Sequence, residues 1–173
     1  MEIISKEIST TLTWETTNNM KISLVIPTTP NHFHYLKCIL DCYTKQTIIP
    51  DEVVISISNS HTMDSNNIIE IKNIFSDKFE SLILLEHKET VFEGPNRGKG
   101  SEVCTGDIIT YHDSDDVPHP QRIEIIKYFF KNFDILHLNH SFTYEKRFDI
   151  LTEFNTIEYK NSETMYEKYF KNN

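Results

Sequence analysis

Four short runs of β-branched and aliphatic residues, spaced by stretches with helical periodicity, constrain this chain more than any other feature. Residues 22–27 read Ile-Ser-Leu-Val-Ile-Pro, 52–58 read Glu-Val-Val-Ile-Ser-Ile-Ser, 81–86 read Ser-Leu-Ile-Leu-Leu-Glu, and 107–112 read Asp-Ile-Ile-Thr-Tyr-His. Runs this short and this apolar suit strands buried on both faces. Between the first two, Leu36, Ile39, Leu40 and Tyr43 recur at helical spacing, with Asn31 placed to cap the helix. Between the second and third, Ile68, Ile71 and Phe75 share one face of a helix over 64–75. After the fourth, a helix from Pro120 to about residue 131 has proline at its first position and offers Ile123, Ile126, Phe129 and Phe130 to a core. Residues 134–140 read as a fifth strand. The alternation predicts an α/β fold, a mostly parallel sheet with helices packed on its two faces.

Ligands of such sheets sit beyond the carboxyl ends of the strands. Three polar loops fall at those ends: 28–31, 58–62 and 113–118. The last is the richest, Asp113-Ser114-Asp115-Asp116-Val117-Pro118. Three carboxylates within four positions repel one another unless a cation sits among them. An acidic turn and helix cap explain the same residue types without a ligand. Convergence with the other two loops favours a site for a divalent cation and a phosphate-bearing molecule. Asp113 and Asp115, one residue apart, can aim at a common point, and oxygen donors of this kind suit Mg²⁺ or Mn²⁺.

Other signals are weaker. The segment 94–100, Gly-Pro-Asn-Arg-Gly-Lys-Gly, reads as a loop before a helical turn at 101–104, and Arg97 or Lys99 could meet a phosphate or a carboxylate there. It has neither P-loop spacing nor a dinucleotide signature. His112 and His119 flank the acidic cluster and either could ligate a metal, with a helix-capping or solvent-facing role expected ahead of that for His119. His32 and His34 begin the first helix without partners for a zinc site. The three cysteines, Cys38, Cys42 and Cys104, form no even disulfide set and read as small core thiols.

Composition bounds the rest. A length of 173 residues suits one domain, and a net charge of −9 argues against general nucleic-acid binding. Mean hydropathy is −0.42, and no stretch approaches the roughly 20 apolar residues of a membrane span. The acidic start of the chain does not read as a secretory signal, so cytoplasmic residence is expected. Residues 8–14 have strand-like threonine content, and 163–169 carry an amphipathic pattern suited to docking on the sheet or on a second copy of the chain.

Two blocks together resemble family 2 glycosyltransferases of the GT-A fold. Ile22-Ser23-Leu24-Val25-Ile26-Pro27-Thr28 is similar to that family's opening VSVIIPT strand. Gln46-Thr47 and then Pro50-Asp51-Glu52 match the helix end and strand start that follow. Residues 106–116, Gly-Asp-Ile-Ile-Thr-Tyr-His-Asp-Ser-Asp-Asp, resemble its GEYIAFLDxDD motif, and Pro120 and Arg122 match a following PxR. The resemblance covers about residues 22–140.

It implies a single GT-A-like domain over 1–173, with a nucleotide-sugar-binding core at 20–140 and an extension at 141–173 for acceptor or oligomer contacts. It implies transfer of a sugar from a nucleoside diphosphate sugar, UDP- or GDP-linked, to an acceptor it does not identify, by an inverting route with Mn²⁺ or Mg²⁺. Asp115 is then the foremost metal ligand, with Asp113 beside it. The donor site comprises Pro27, Thr28, Thr29, Ser58, Asn59, Arg97, Asp113 and Ser114. Two departures stand out. Ser58-Asn59 occupies the place where the family often has base-contacting acidic residues. The acceptor half that usually supplies the catalytic base is short, leaving Glu145, Asp149 and Glu153 as unranked candidates. A non-catalytic module of the same fold, binding a nucleotide or a partner, is the alternative.

Overall fold

The computed structural model describes residues 20–130 and Thr156. Its elements alternate as the sequence pattern requires: β1 (Ile22–Thr28), α1 (Phe33–Thr44), β2 (Glu52–Ile57), a 3₁₀ turn (Ser60–Thr62), α2 (Ser65–Phe75), β3 (Ser81–Glu86), α3 (Glu93–Ser101), β4 (Ile108–Tyr111) and α4 (Arg122–Phe130). All four strands are parallel, in the order β3-β2-β1-β4. The two inner strands are buried at every position. β4 alternates buried Ile108 and Thr110 with exposed Ile109 and Tyr111, as a strand with one covered face does.

The strand pleat divides the helices between two faces. Leu24 and Ile26 of β1 and Val53, Ile55 and Ile57 of β2 share one core with Leu36, Ile39 and Leu40 of α1, Ile68 and Ile71 of α2, and Ile123 and Ile126 of α4. The opposite face, carrying Val25 and Ser56, receives α3. There Gly100 sits flush on the sheet, so that a Cβ added to it would lie 2.5 Å from Val25 Cγ1.

Polar groups, with Glu52 and Ser23 buried among them, lock the amino-terminal edge of the sheet. The Glu52 carboxylate accepts hydrogen bonds from Ser23 Oγ (2.6 Å), the Thr105 N–H (2.9 Å) and Thr105 Oγ1 (3.0 Å). Asp51 and Asp107 accept the N–H groups of Ile22 and Lys21 at 2.7 and 2.8 Å. Gly106 packs so closely on β1 that a Cβ there would lie 2.6 Å from Ser23 Oγ. The Pro-x-Glu and Gly-Asp motifs are thus structural, starting β2 and β4 in register with β1.

Several expectations are corrected. The segment 94–100 is not a loop; it forms most of α3, although three of the chain's four glycines lie in it. Pro95 falls in the first turn, where no intrahelical partner for its nitrogen is needed. Asn31 does not cap α1. The entry is a backbone turn in which the His32 N–H donates to the Thr29 carbonyl (3.0 Å), and no side chain caps it. α4 begins at Arg122 rather than Pro120, because Gln46 Oε1 accepts the Ile123 N–H (3.2 Å) and fixes the start there. Cys38, Cys42 and Cys104 are free and only half-buried, not core thiols. Burial, with Cys38 alongside, pushes the Cys42 thiol up to about 12. The fifth strand at 134–140, the segments 8–14 and 163–169, and Glu145, Asp149 and Glu153 lie outside the described residues.

Candidate active site

The carboxyl ends of β1 and β4 open into a cavity of about 360 Å³, within the roughly 300–1,000 Å³ usual for small-ligand sites. One wall is Pro27, Thr28 and Thr29 at the end of β1, with His32 from the start of α1. A second is Asp113, Ser114 and Asp115, directly beyond β4. Val91, Glu93 and Asn96, at the beginning of α3, form the third. The sequence expectations for Pro27, Thr28, Thr29, Asp113, Ser114 and Asp115 therefore converge on one cavity.

The chain brings the acidic segment here by several pins. The His112 N–H donates to the Val25 carbonyl (3.0 Å), continuing the β1–β4 pairing past the strand end. The Arg122 Nη2 donates to the Tyr111 carbonyl (2.8 Å). Gln46 Nε2 donates to the His119 carbonyl (2.7 Å), and the Thr47 N–H donates to that of Pro120 (2.9 Å). The Gln-Thr pair at the end of α1 thus anchors the segment that leaves the site. His119 does not line the cavity; its Nδ1 accepts the N–H of Gln121 (3.1 Å), just ahead of α4. His112 is buried edge-on against Tyr43, ring centroids 5.4 Å apart. Burial, with the Arg122 charge nearby, holds it well below its ordinary value of 6.5, so it is a neutral packing group.

Arg97 supplies positive charge among the carboxylates. Its guanidinium pairs with Asp113 at 2.5 Å and, one helical turn back, with Glu93. It stands behind Asp113 rather than on the cavity wall. Ser58 and Asn59 also lie outside that wall. The Ser58 hydroxyl accepts the Val91 N–H (2.7 Å), and Asn59 adopts a left-handed conformation (φ 58°) with its N–H donating to the Glu89 carbonyl (3.0 Å). Both residues brace the segment that carries Val91. His34 is exposed and stacks on Tyr35 instead of facing the cavity.

Asn96 is the residue that motif reading missed. Only 2 % exposed, it accepts the Ser56 hydroxyl at Oδ1 (2.7 Å) and donates from Nδ2 to the Ser56 carbonyl (3.0 Å). The same nitrogen lies 3.5 Å from the Thr28 carbonyl. One side chain therefore fixes the start of α3 to the ends of β1 and β2. A polar residue four positions before a glycine marks one helical face, a signal legible only once 93–101 is known to be a helix.

The donor set suits a hard cation. Asp113 and Asp115 offer carboxylate oxygens to one cavity, and Mg²⁺ or Mn²⁺ takes one or two carboxylates and completes its shell with water and phosphate oxygens. Among the described residues no group of three or more His, Cys, Asp or Glu converges to hold an ion by itself.

The family model described as Glycosyl transferase family 2 matches residues 23–169. Among solved structures, TarS of S. aureus in complex with UDP shares 23% identity over 64% of this chain and 32% of that one, with a TM-score of 0.53. A longer TarS structure is 20% identical over 64% of this chain and 19% of its own, with the same TM-score of 0.53. The mannosyltransferase PcManGT of Pyrobaculum calidifontis, in complex with GDP-Man and Mn²⁺, is 20% identical over 65% of this chain and 32% of its own, at 0.52. The chain spans about a third or less of the length of these proteins, and the likeness establishes the fold. No curated protein matches it in sequence.

Proposed function

Because the chain belongs to glycosyl transferase family 2, we propose that its cavity binds a nucleoside diphosphate sugar with a divalent cation and transfers the sugar to an acceptor hydroxyl. The observation that carries this reading is the meeting of Asp113 and Asp115 with Pro27, Thr28 and Thr29 in one cavity. Asp115 is the foremost cation ligand and Asp113 the second. Pro27, Thr28 and Thr29 line the donor, and Arg97 orients Asp113. The fold relatives solved with UDP and with GDP-Man and Mn²⁺ make UDP- and GDP-sugars with Mn²⁺ the first donors to try.

When bound, the cation offsets charge on the departing diphosphate as a Lewis acid. The chain's own part is to hold that diphosphate against β1 and to keep the anomeric carbon open to attack. In the inverting route a carboxylate takes the proton of the acceptor hydroxyl as it attacks. Glu145, Asp149 and Glu153 remain the candidates for that base. Among the described residues no helix is long and apolar enough to cross a membrane.

Thermal shift with UDP and GDP, with and without Mn²⁺, tests the donor site. Metal-dependent stabilisation is expected in the parent and its loss in Asp115→Ala. If no nucleotide moves the parent, the donor reading fails. Binding without any donor hydrolysis or transfer would establish the non-catalytic module instead, a reading favoured by the Ser58-Asn59 departure.

A further inference from the structure

Asp113 and Asp115 share the cavity wall with a third acidic residue, Glu93, in the first turn of α3. Among the described residues, no lysine or arginine stands on that wall. Arg97, the cation behind Asp113, offers one nitrogen, Nη2, to both the Asp113 and the Glu93 carboxylates. Two oxygens within hydrogen-bonding reach of one nitrogen lie no more than about 6 Å apart, so Glu93 stands beside Asp113. An acidic residue in a first helical turn, paired with an arginine four positions on, stabilises a helix whatever lies nearby. That role does not call for a place on the cavity wall. With three carboxylates around one guanidinium, this part of the site carries a surplus of negative charge.

We infer that Glu93 sets the charge selectivity of the site, turning away free diphosphates and admitting them as their divalent-cation complexes. The inference deepens the donor reading and rests on it. A bare diphosphate is strongly anionic, and like charges at this separation repel. Arg97 offsets little of that repulsion, because the nitrogen it presents is already shared by two carboxylates. A cation held by Asp113 and Asp115 offsets their charge and the anion's together. Glu93 does not converge with those two residues into an ion-holding group. Its charge therefore acts on the arriving anion, as a filter separate from the ligands.

Isothermal titration with inorganic pyrophosphate and with UDP, each in EDTA and in Mn²⁺, reads this selectivity as the ratio of the two affinities. Glu93→Gln removes the charge but keeps the shape and an oxygen acceptor for Arg97. It should bind both metal-free ligands about fivefold more tightly than the parent, the scale of one partly exposed charge interaction. Their Mn²⁺ complexes should change by less, so the metal dependence contracts. A role in helix stability alone would move both affinities together. Glu102→Gln is the control, removing the same charge at the far end of α3, off the cavity wall, and should keep the parent's ratio. An unchanged ratio in Glu93→Gln overturns the inference. So does an equal contraction in Glu102→Gln, which would make net charge the cause. A parent that binds metal-free pyrophosphate as tightly as its Mn²⁺ complex also overturns it and leaves the donor site standing. If the parent binds neither ligand even with Mn²⁺, the donor reading itself fails.

Discussion

The Arg97 guanidinium rests against the Asp113 carboxylate at 2.5 Å while also holding Glu93 on its own helix. It joins the start of α3 to the loop beyond β4 and neutralises charge where a cation would otherwise have to. A divalent ion that takes Asp113 must share it with this guanidinium.

Arg97→Gln should therefore raise Mn²⁺ affinity in the absence of nucleotide by about fivefold, the scale of a partly exposed ion pair of about 1 kcal/mol. Titration of the parent and variant with MnCl₂ alone measures it. Unchanged or weaker Mn²⁺ binding in the variant would show that Arg97 does not compete for Asp113.

Asn96 carries the attachment of α3 to the ends of β1 and β2. Its truncation in Asn96→Ala leaves the Ser56 hydroxyl and carbonyl short of their buried partner. A loss of about 1–3 kcal/mol in urea unfolding is expected, with weaker nucleotide binding because Val91 and Glu93 move with the helix. A stability change under about 0.5 kcal/mol, the level of an ordinary surface substitution, would remove Asn96 from this role.

Gly100 has no room for a side chain, since its Cβ would stand 2.5 Å from Val25 Cγ1 and 3.4 Å from Ser56 Cβ. Alanine raises helix propensity at this position, but overpacking the helix–sheet contact should outweigh it and destabilise by about 1–3 kcal/mol. Gly98→Ala is the control, because nothing lies within 4 Å of a Cβ there. If both variants unfold at the same denaturant concentration, close packing of α3 on the sheet is not what Gly100 provides.

Burial alone would raise the Glu52 carboxyl, yet hydrogen bonds from Ser23 and Thr105 outweigh it and hold the group below its ordinary value of 4.5. The unfolded chain then takes up this proton before the folded one. The stabilisation is present above pH 4.5 and lost as pH falls through the lower folded value. Glu52→Gln should cost about 1–3 kcal/mol at neutral pH, and the gap to the parent should narrow below that point. Urea unfolding across the acid range follows the gap, and a constant difference would count against the linkage.

Much of this architecture is legible in the residue pattern, because burial on both faces of β1 and β2, and on one face of β4, demands apolar strands. The runs at 22–27, 52–58, 81–86 and 107–112 meet their strands to within a residue at either end. The acidic segment likewise declares itself by standing directly beyond one of them. α3 does not. Three glycines and a proline argue against a helix on intrinsic preference, and the opposing reason is tertiary. Gly100 and Asn96, one turn apart, are what the sheet surface accepts, the one for its lack of a side chain and the other for its hydrogen bonds. The Gln-Thr pair at 46–47 is visible as a motif, but its job of anchoring α4 spans 77 residues of sequence between Gln46 and Ile123.

The sequence by itself determined the parallel α/β order, the position of Asp113 and Asp115 at a strand end, and the family. These follow from local patterns, since strand burial and a carboxylate cluster are properties of adjacent residues. Only the tertiary structure decided that α3 exists, that Ser58 and Asn59 brace the cavity rather than line it, and that Arg97 already holds Asp113. Each of those facts depends on side chains distant in sequence meeting across the sheet, where backbone groups left by one element are satisfied by another.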